Sequence, residues 1–474
     1  MGTYTKAQLE TELTRIKNAV ASCRTSIYNQ GVLNIPSDVT LAQLPTYVNM
    51  IQCSHPDILL DYIQAGDGSN TSQEAQVYFD TGFVPDASTT FEIECSRPIT
   101  GRSNMMFGSY CYNIRLYSST YLLTYANSWQ TIDWNIGSTP STYGNMTYIS
   151  TSINESTLYL TIDSGTYTNP ITVATKNDTS IYLFARHASD TNIAWTANSG
   201  SRIKYVKFYS NHNLVRFYVP VLHYISRQYV PCFYDKVNDN YIYNLGSGTV
   251  TYSATSDYLL DYIYVPTSNR GVYYNTNWTI ELHQNMDIKY VSGNVIAGGN
   301  INEGPVFGST YNGTYKYGIY APAAGAVGTT RVVKNGFKLP RTSSTYQFYG
   351  STYSTSDTNT HVVSVYSNVA NNYRRMYDNS VSYIPNENTV ADQSNSVIGT
   401  KLGIFGGTSA TTGSMQSSFP DTRIYYACVA KQNASVSQSW VPVLHNNIPS
   451  FYDVVNSTYI TNSGSQTPGY EKLN

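Results

Sequence analysis

The sequence predicts a mainly β chain, two tandem β-sandwiches preceded by a short α-helical, coiled-coil-like module. Three observations predict it. Helical periodicity is confined to the first fifty or so residues. Short runs of Tyr, Thr, Ile and Val bounded by Asn, Gly, Ser and Asp fill the remainder. That remainder repeats one ordered set of motifs at a spacing near 200 residues.

Residues 1–54 form the first element. Leu9, Leu13, Ile16, Val20, Cys23 and Ile27 are spaced 4, 3, 4, 3 and 4 residues apart. This period of about 3.5 makes a coiled-coil seam rather than a broad globular face. Thr5 followed by Gln8 reads as a capping box and Gly31 as the stop. Leu9, Leu13, Ile16, Val20 and Ile27 are therefore the expected oligomerisation residues. Leu13 at an a position with Ile16 at d favours more than two strands, and a homotrimer is expected. The alternative is an amphipathic helix packed within its own domain, because three heptads are marginal alone. A second capping box, Thr40 with Gln43, precedes Leu41, Leu44, Val48 and Ile51, a short helix interrupted early by Pro45.

Strands are expected from Ser54 onward, for example at Ser180–Arg186, Ile203–Tyr209 and Asn277–Leu282. The repeat is explicit. LLDYI stands at 59–63 and 259–263, FGS at 107–109 and 307–309, and VPVLH at 219–223 and 441–445. FYD follows at 233–235 and 451–453, then Tyr-Ile at 241–242 and 459–460, then Gly-Ser at 246–247 and 464–465. Arg202-Ile203 and Arg423-Ile424 fit the same order. The offset grows from 200 to about 220 between FGS and Arg-Ile, and Gly293–Gly304 reads as a loop. The period is too long for a solenoid and means two domains, 55–254 and 255–474, joined by a short seam around Tyr252–Asp257.

Composition narrows the function classes. Lys+Arg 28 against Asp+Glu 30 gives a net charge of −2, which is no nucleic-acid footprint. Charged residues are only 12% of 474, against an average of ~25%. Tyrosine, at 46, carries much of the polarity and suits adaptable binding surfaces. Mean hydropathy is −0.31, and no run approaches the ~20 apolar residues that would insert in a membrane. No secretory signal is visible at the N-terminus. Cys23, Cys53, Cys95, Cys111, Cys232 and Cys428 include no CxxC pair, and they read as mostly buried thiols of a chain made in a reducing cytoplasm. A Cys95–Cys111 bridge stays open.

The repeat unit resembles phage and phage-derived bacterial proteins with concanavalin A-like (LamG-type) jelly-roll domains. The opening reads LLDYIQA…VYFDTGFVP from Leu59 to Pro85. The close reads KFYSNHNLVRFYVPV from Lys207 and CFYDKVNDNYIYNLGSG from Cys232. The second copy keeps VPVLH, FYDVVNSTYI and NSGS. It loses the Asp-Thr-Gly-Phe-x-Pro segment, reading VYYNTN, and it loses the Leu-Val-Arg. Residues 1–54 look like attachment segments at the start of phage appendage proteins. The resemblance implies a non-enzymatic virion structural protein, a tail fibre, head fibre or spike component for host attachment. Its partners would be further copies of itself, other virion proteins through residues 1–54 and host cell-surface glycans, and no cofactor is implied. The rival readings are a lectin-like glycan-binding protein and a polysaccharide-cleaving enzyme.

Several positions are candidates for chemistry. Retaining glycosidases of this fold need Glu-x-Asp-x-x-Glu on one strand face. The nearest segment is Glu92-Ile-Glu94-Cys-Ser-Arg97, with only Glu281 in the second copy. Glu92 and Glu94 therefore read as polar positions on one strand face. His223 and His445, matched after VPVL, are framework positions or else paired ligands or pH sensors. Asp67, Asp80 and Asp86 could touch a Ca²⁺ at a sandwich rim. Trp129, Trp134 and Trp195 are sugar-stacking surfaces or core. No catalytic, cofactor-binding or metal residue is expected.

Overall fold

The computed structural model describes residues 6–29, 40, 42–43, 55–70, 74–96, 104–110, 112–116, 121–124, 131–134, 146–154, 157–163, 165–170, 179–189, 192–225, 228–266, 271–280, 284–291, 303–311, 315–322, 333–340, 345–353, 360–368, 373–379, 381–383, 401–408, 415–417, 420–431 and 437–473. Among them the fold is mainly β, with one helix, Lys6–Asn29.

That helix starts directly after Thr5, and its heptad seam faces outward. Leu13 is 52% and Ile16 46% exposed, and Val20 is half-buried. The side chains of Leu9 and Ile27, together with Gly31 and the second helix beyond Gln43, lie outside the described residues. At Thr40 the backbone N–H donates to Gln43 Oε1 at 2.9 Å, the return half of a capping box.

The β body runs through one strand order twice. The largest sheet takes 19 strands from both halves, and each half adds a six-stranded sheet and a two-stranded ribbon. Registers match pair for pair. Ile63 faces Ile203 as Ile263 faces Ile424. Leu59 faces Val221 as Leu259 faces Val443. Val219 faces Tyr234 as Val441 faces Tyr452. Each half packs its six-stranded sheet onto the large one. In the first half Phe79, Phe107 and Leu183 meet Phe91, Val206 and Phe233. In the second, Tyr274, Phe307 and Ile404 meet Ile288, Trp440 and Phe451.

Both repeated motifs have a local hydrogen-bond reason. Asp235 Oδ1 accepts from the backbone N–H of Phe217 and Val237, and Oδ2 accepts from Asn238. Asp453 repeats this with Ser439, Val455 and Asn456. FYD-x-V-N is thus an aspartate-clamped turn. Asn244 Oδ1 accepts from Tyr78 N–H and Gly246 N–H, as Asn462 Oδ1 does from Tyr273 and Gly464. Glycine is required there, because a Cβ at Gly246 would lie 2.0 Å from Gln76 O, and at Gly464 1.7 Å from Gly271 O.

Several expectations are corrected. The opening motif is not lost from the second copy. Thr81 Oγ1 donates to Ile181 O at 2.7 Å, and Thr276 Oγ1 donates to Leu402 O at 2.7 Å. Gly82 has φ +62° and Asn277 φ +59°. Asn-Thr-Asn-Trp does the work of Asp-Thr-Gly-Phe because Asn tolerates the left-handed region. Most of the growing offset is spent on three outer strands. Asn113–Leu116, Tyr121–Thr124 and Thr131–Trp134 become the longer Tyr315–Pro322, Val333–Pro340 and Thr345–Tyr353. Gly304 is in the strand Glu303–Tyr311, while 292–302 lie outside the described residues.

The seam around Tyr252–Asp257 is no linker. One strand, Val250–Tyr264, runs through it, pairing with Ile58–Ala65 at its start and with Gly469–Lys472 at its end. Tyrosine is also core material: seven of the ten largest fully buried side chains are Tyr, among them Tyr205, Tyr234 and Tyr426. Those three help fill a third core between the halves, with Leu59, Val219 and Val221 on one side and Leu259, Val441 and Val443 on the other. Cys95, Cys232 and Cys428 are buried and free and Cys23 is exposed, so no Cys95 bridge forms. Cys53 and Cys111 lie outside the described residues.

Candidate functional site

The strand Thr90–Ser96 is buried on both faces. Phe91, Ile93 and Cys95 enter the first core, so the alternate residues Glu92 and Glu94 face the second half rather than water. Glu92 Oε1 accepts from Lys207 Nζ at 3.1 Å, Tyr205 OH at 2.9 Å and Ser437 Oγ at 2.9 Å. Lys207 also donates to Ser439 of the second half. Glu94 Oε1 accepts from Lys204 Nζ at 3.3 Å, and Lys204 reaches across to Val455 O and Ser457 Oγ. The reciprocal contact exists: Lys289 Nζ donates to Val237 O and Asp239 Oδ1 of the first half.

Register places Asp287 where the first half has Glu92, and Cys428 where it has Lys207. Burial pushes Asp287 up to about 7, opposed by Ser364 and Lys207. Burial likewise pushes Glu94 up to about 7 against the pull of Lys204. The cavity beside Glu92, His212, Asp287 and Tyr366 holds about 40 Å³, room for a few waters and not for a sugar ring. These carboxylates fasten the two halves together. Arg97 and Glu281 lie outside the described residues.

His223 and His445 are twin framework positions. Each Nδ1 lies 2.8 Å from the aspartate two residues before the matched LLDYI segment, Asp57 and Asp257 respectively. Each ring stacks on a tyrosine, Tyr241 at 4.0 Å and Tyr459 at 3.9 Å between centroids.

Asp67, Asp80 and Asp86 are not brought together. Asp67 accepts from Ser69, Asp80 from Gly82 N–H, and Asp86 from Ser88 and Ser210. Among the described residues no three His, Cys, Asp or Glu gather to hold a metal.

An aromatic platform on the first half is the remaining surface of interest. Tyr182 pairs with Gly108 on the face of the six-stranded sheet turned away from the core. The ring of Tyr182 stacks face to face on those of Tyr78 and His187, with centroids 5.2 and 4.1 Å apart and planes within 15°. Beside it the ribbon Ala185–Ser189 with Asn192–Thr196 lays Arg186 opposite Trp195. The guanidinium sits 5.3 Å from the Trp195 ring centroid and 5.7 Å from that of Tyr110, and it donates to Tyr110 O at 2.9 Å. Thr179 ties the parts together, accepting from Tyr110 N–H and donating to His187 O, both at 3.0 Å. Trp195 is 40% and Tyr110 39% exposed.

Among the described residues, the second half does not repeat these side chains. Register puts Gly403 at the Tyr182 position and the Gly407–Gln416 pair at the Arg186–Trp195 position. Thr310 follows its FGS where Tyr110 follows the first.

Of the three tryptophans singled out, Trp195 belongs to the platform. Trp129 lies outside the described residues, and Trp134 ends the strand Thr131–Trp134. Trp278 and Trp440 are core. The sequence reading missed Tyr78, Tyr110, Tyr182, Arg186 and His187. The signal that finds them is the alignment of the two copies, where aromatic residues face Gly, Thr and Gln.

No protein-family model matches the chain, and no curated protein matches it. Among solved structures, the mouse laminin alpha1 chain domains LG4-5 align over 88% of this chain and 96% of theirs, at 10% identity and a TM-score of 0.28. The LG1-3 region of the laminin alpha2 chain aligns over 86% and 69%, at 8% identity and a TM-score of 0.25. A leech intramolecular trans-sialidase aligns over 87% and 81%, at 11% identity and a TM-score of 0.20. At these scores the likenesses carry no argument about this chain.

Proposed function

We propose that this chain is a non-enzymatic structural subunit of a bacteriophage virion appendage, a fibre or spike. In this reading it trimerises and attaches through residues 1–54 and holds two tandem concanavalin A-like jelly rolls, 55–254 and 255–474, outward. The observation that carries the proposal is the exposed heptad seam, Leu13 and Ile16, on a 24-residue helix ahead of the β body. Apolar residues at a 3.5-residue period and left in water are stabilised by burial against further copies of the same helix. The twice-used strand order and register support the tandem reading. The engagement of Glu92 and Glu94 in lysine pairs supports a body without glycosidase chemistry.

The test is deletion of residues 1–53. Light scattering is expected to give a trimer for the full chain and a folded monomer for the deletion, and only the full chain should enter particles. A monomeric full chain at micromolar concentration, or normal incorporation of the deletion, overturns the proposal. A second reading, a lectin-like contact with host glycans, is favoured by the platform around Trp195 and is compatible with the first.

A further inference from the structure

We infer that the hairpin joining the strands Asn213–Ile225 and Gln228–Asp235 is a socket for the segment that links the helical module to the β body, seating residues 44–54 of the same chain and so fixing the direction in which the module leaves. The contact lies within one chain and needs neither a trimer nor a virion.

The two halves build this hairpin differently. His223 and His445 open matched turns, and Pro231 and Pro449 stand at their close. The second half turns on Asn446-Asn447 alone, both in the left-handed region with φ +49° and +63°. The first half puts six residues, 224–229, in the same place. Two further cross-strand pairs result, Tyr224 with Tyr229 and Ile225 with Gln228. The framework does not call for the added length, because the second half's strands pair in the same register without it.

What the extension touches is the entry of the chain. The ring of Tyr224 stacks on that of His55, with centroids 3.8 Å apart and planes 8° apart. Tyr229 meets Tyr224 edge-on at 5.2 Å and donates its hydroxyl to Pro56 O at 3.4 Å. In the second half the residues matching His55 and Pro56 are Thr255 and Ser256, inside the strand Val250–Tyr264. Thr255 is already tied across the sheet to Leu59 O at 2.7 Å. The second opening strand is thus fixed by being the continuation of another strand. The first is reached from outside the sheet, and the extension stands where that fixing is missing.

The socket and its occupant match in chemistry. Ile225 and Tyr229, with Tyr258 of the joint beside them, present apolar surface to water. Apolar side chains gathered in this way mark a contact. Residues 39–54 carry no charge, and Leu44, Val48 and Ile51 follow one another at spacings of 4 and 3. Val48 and Ile51 stand seven and four residues ahead of His55, so the chain itself keeps both within about 25 Å of it. A segment tethered this closely acts at an effective concentration on the order of millimolar, which a second copy or another protein would have to displace.

The experiment uses the full chain. In one variant residues 224–229 are replaced by Asn-Asn, the turn of the second half. Cys53 belongs to the segment and Cys23 is exposed on the helix, so maleimide labelling read peptide by peptide in a mass spectrometer follows both thiols at once. Cys53 is expected to react tenfold or more faster in the variant, with Cys23 unchanged and the melting temperature of the body unchanged. Tenfold protection corresponds to about 1.4 kcal/mol in favour of the seated segment, which burial of one aliphatic side chain supplies. In a second experiment photoreactive benzoylphenylalanine takes the place of Ile225, and irradiation is expected to join it to residues 44–54 of the same chain. Should the shortened hairpin lower the melting temperature, this crosslink decides by itself. Equal Cys53 rates in the parent and a stably folded variant, a crosslink to a second copy, or no crosslink to residues 44–54 overturns the inference.

Discussion

Replacing Lys207 with Met tests the packing of the two halves most directly. The Lys207 side chain is 1% and that of Glu92 2% exposed, with Nζ 3.1 Å from Oε1. Breaking a buried pair by removing one partner costs about 3–5 kcal/mol. The lost bond to Ser439 and the cation over Phe217 and Tyr205 add about 1–2 kcal/mol. Lys207→Met should therefore destabilise by about 4–6 kcal/mol. Adding Glu92→Gln should recover most of the part that comes from the orphaned carboxylate. Urea unfolding followed by far-UV circular dichroism of the parent, the single and the double variant measures this. A loss under about 1 kcal/mol in Lys207→Met, or no recovery in the double variant, would mean that Lys207 is hydrated and the halves do not close over it.

Three further outcomes are expected. Asp287, raised by burial to about 7, contributes stability that is present below its unfolded pKa of about 3.9 and lost as pH rises to about 7, so Asp287→Asn should flatten that decline in a Tm-against-pH series and exceed the parent at pH 8. Gly246→Ala and Gly464→Ala each drive a methyl into a backbone carbonyl and should each cost about 3 kcal/mol or more in urea unfolding, by similar amounts because the two turns are copies. Ile16→Asp should dissociate the assembly in light scattering while leaving the β circular dichroism signal intact, since an unpaired charge at a seam position costs a few kcal/mol per copy.

The framework was legible because its residues recur. FYD-x-V-N, VPVLH and Asn-x-Gly are each fixed by a local hydrogen-bond pattern that tolerates little change, and a duplicated constraint leaves a duplicated motif. The interface between the halves was hidden by the strand period. Glu92 and Glu94 alternate with Phe91, Ile93 and Cys95 as in a strand with one wet face, and nothing local says that the polar face meets another body. Tyr252–Asp257 read as a seam because the two repeats meet there, and several of its residues are small and polar. Their hydroxyls are satisfied by the neighbouring strand instead, with Thr255 Oγ1 donating to Leu59 O at 2.7 Å and Ser253 Oγ to Asp61 at 3.3 Å. The platform is assembled from segments spread between Tyr78 and Trp195, so no short motif announces it.

The unbroken strand Val250–Tyr264 has a mechanical consequence. Two bodies joined by a peptide linker swing about it and pass on tension without torque. Here the joint is itself a sheet member, with six residues paired to the first half's opening strand and four to the second half's closing strand. Bending at the joint would tear ladder hydrogen bonds and open the Leu59–Leu259 core at once, so the pair behaves as a stiff beam. A pull on the chain ahead of Ile58 would reach the first sheet as shear along its opening strand, spread over ladder hydrogen bonds to three neighbouring strands. The second half, sharing the strand Val250–Tyr264, would then brace the first.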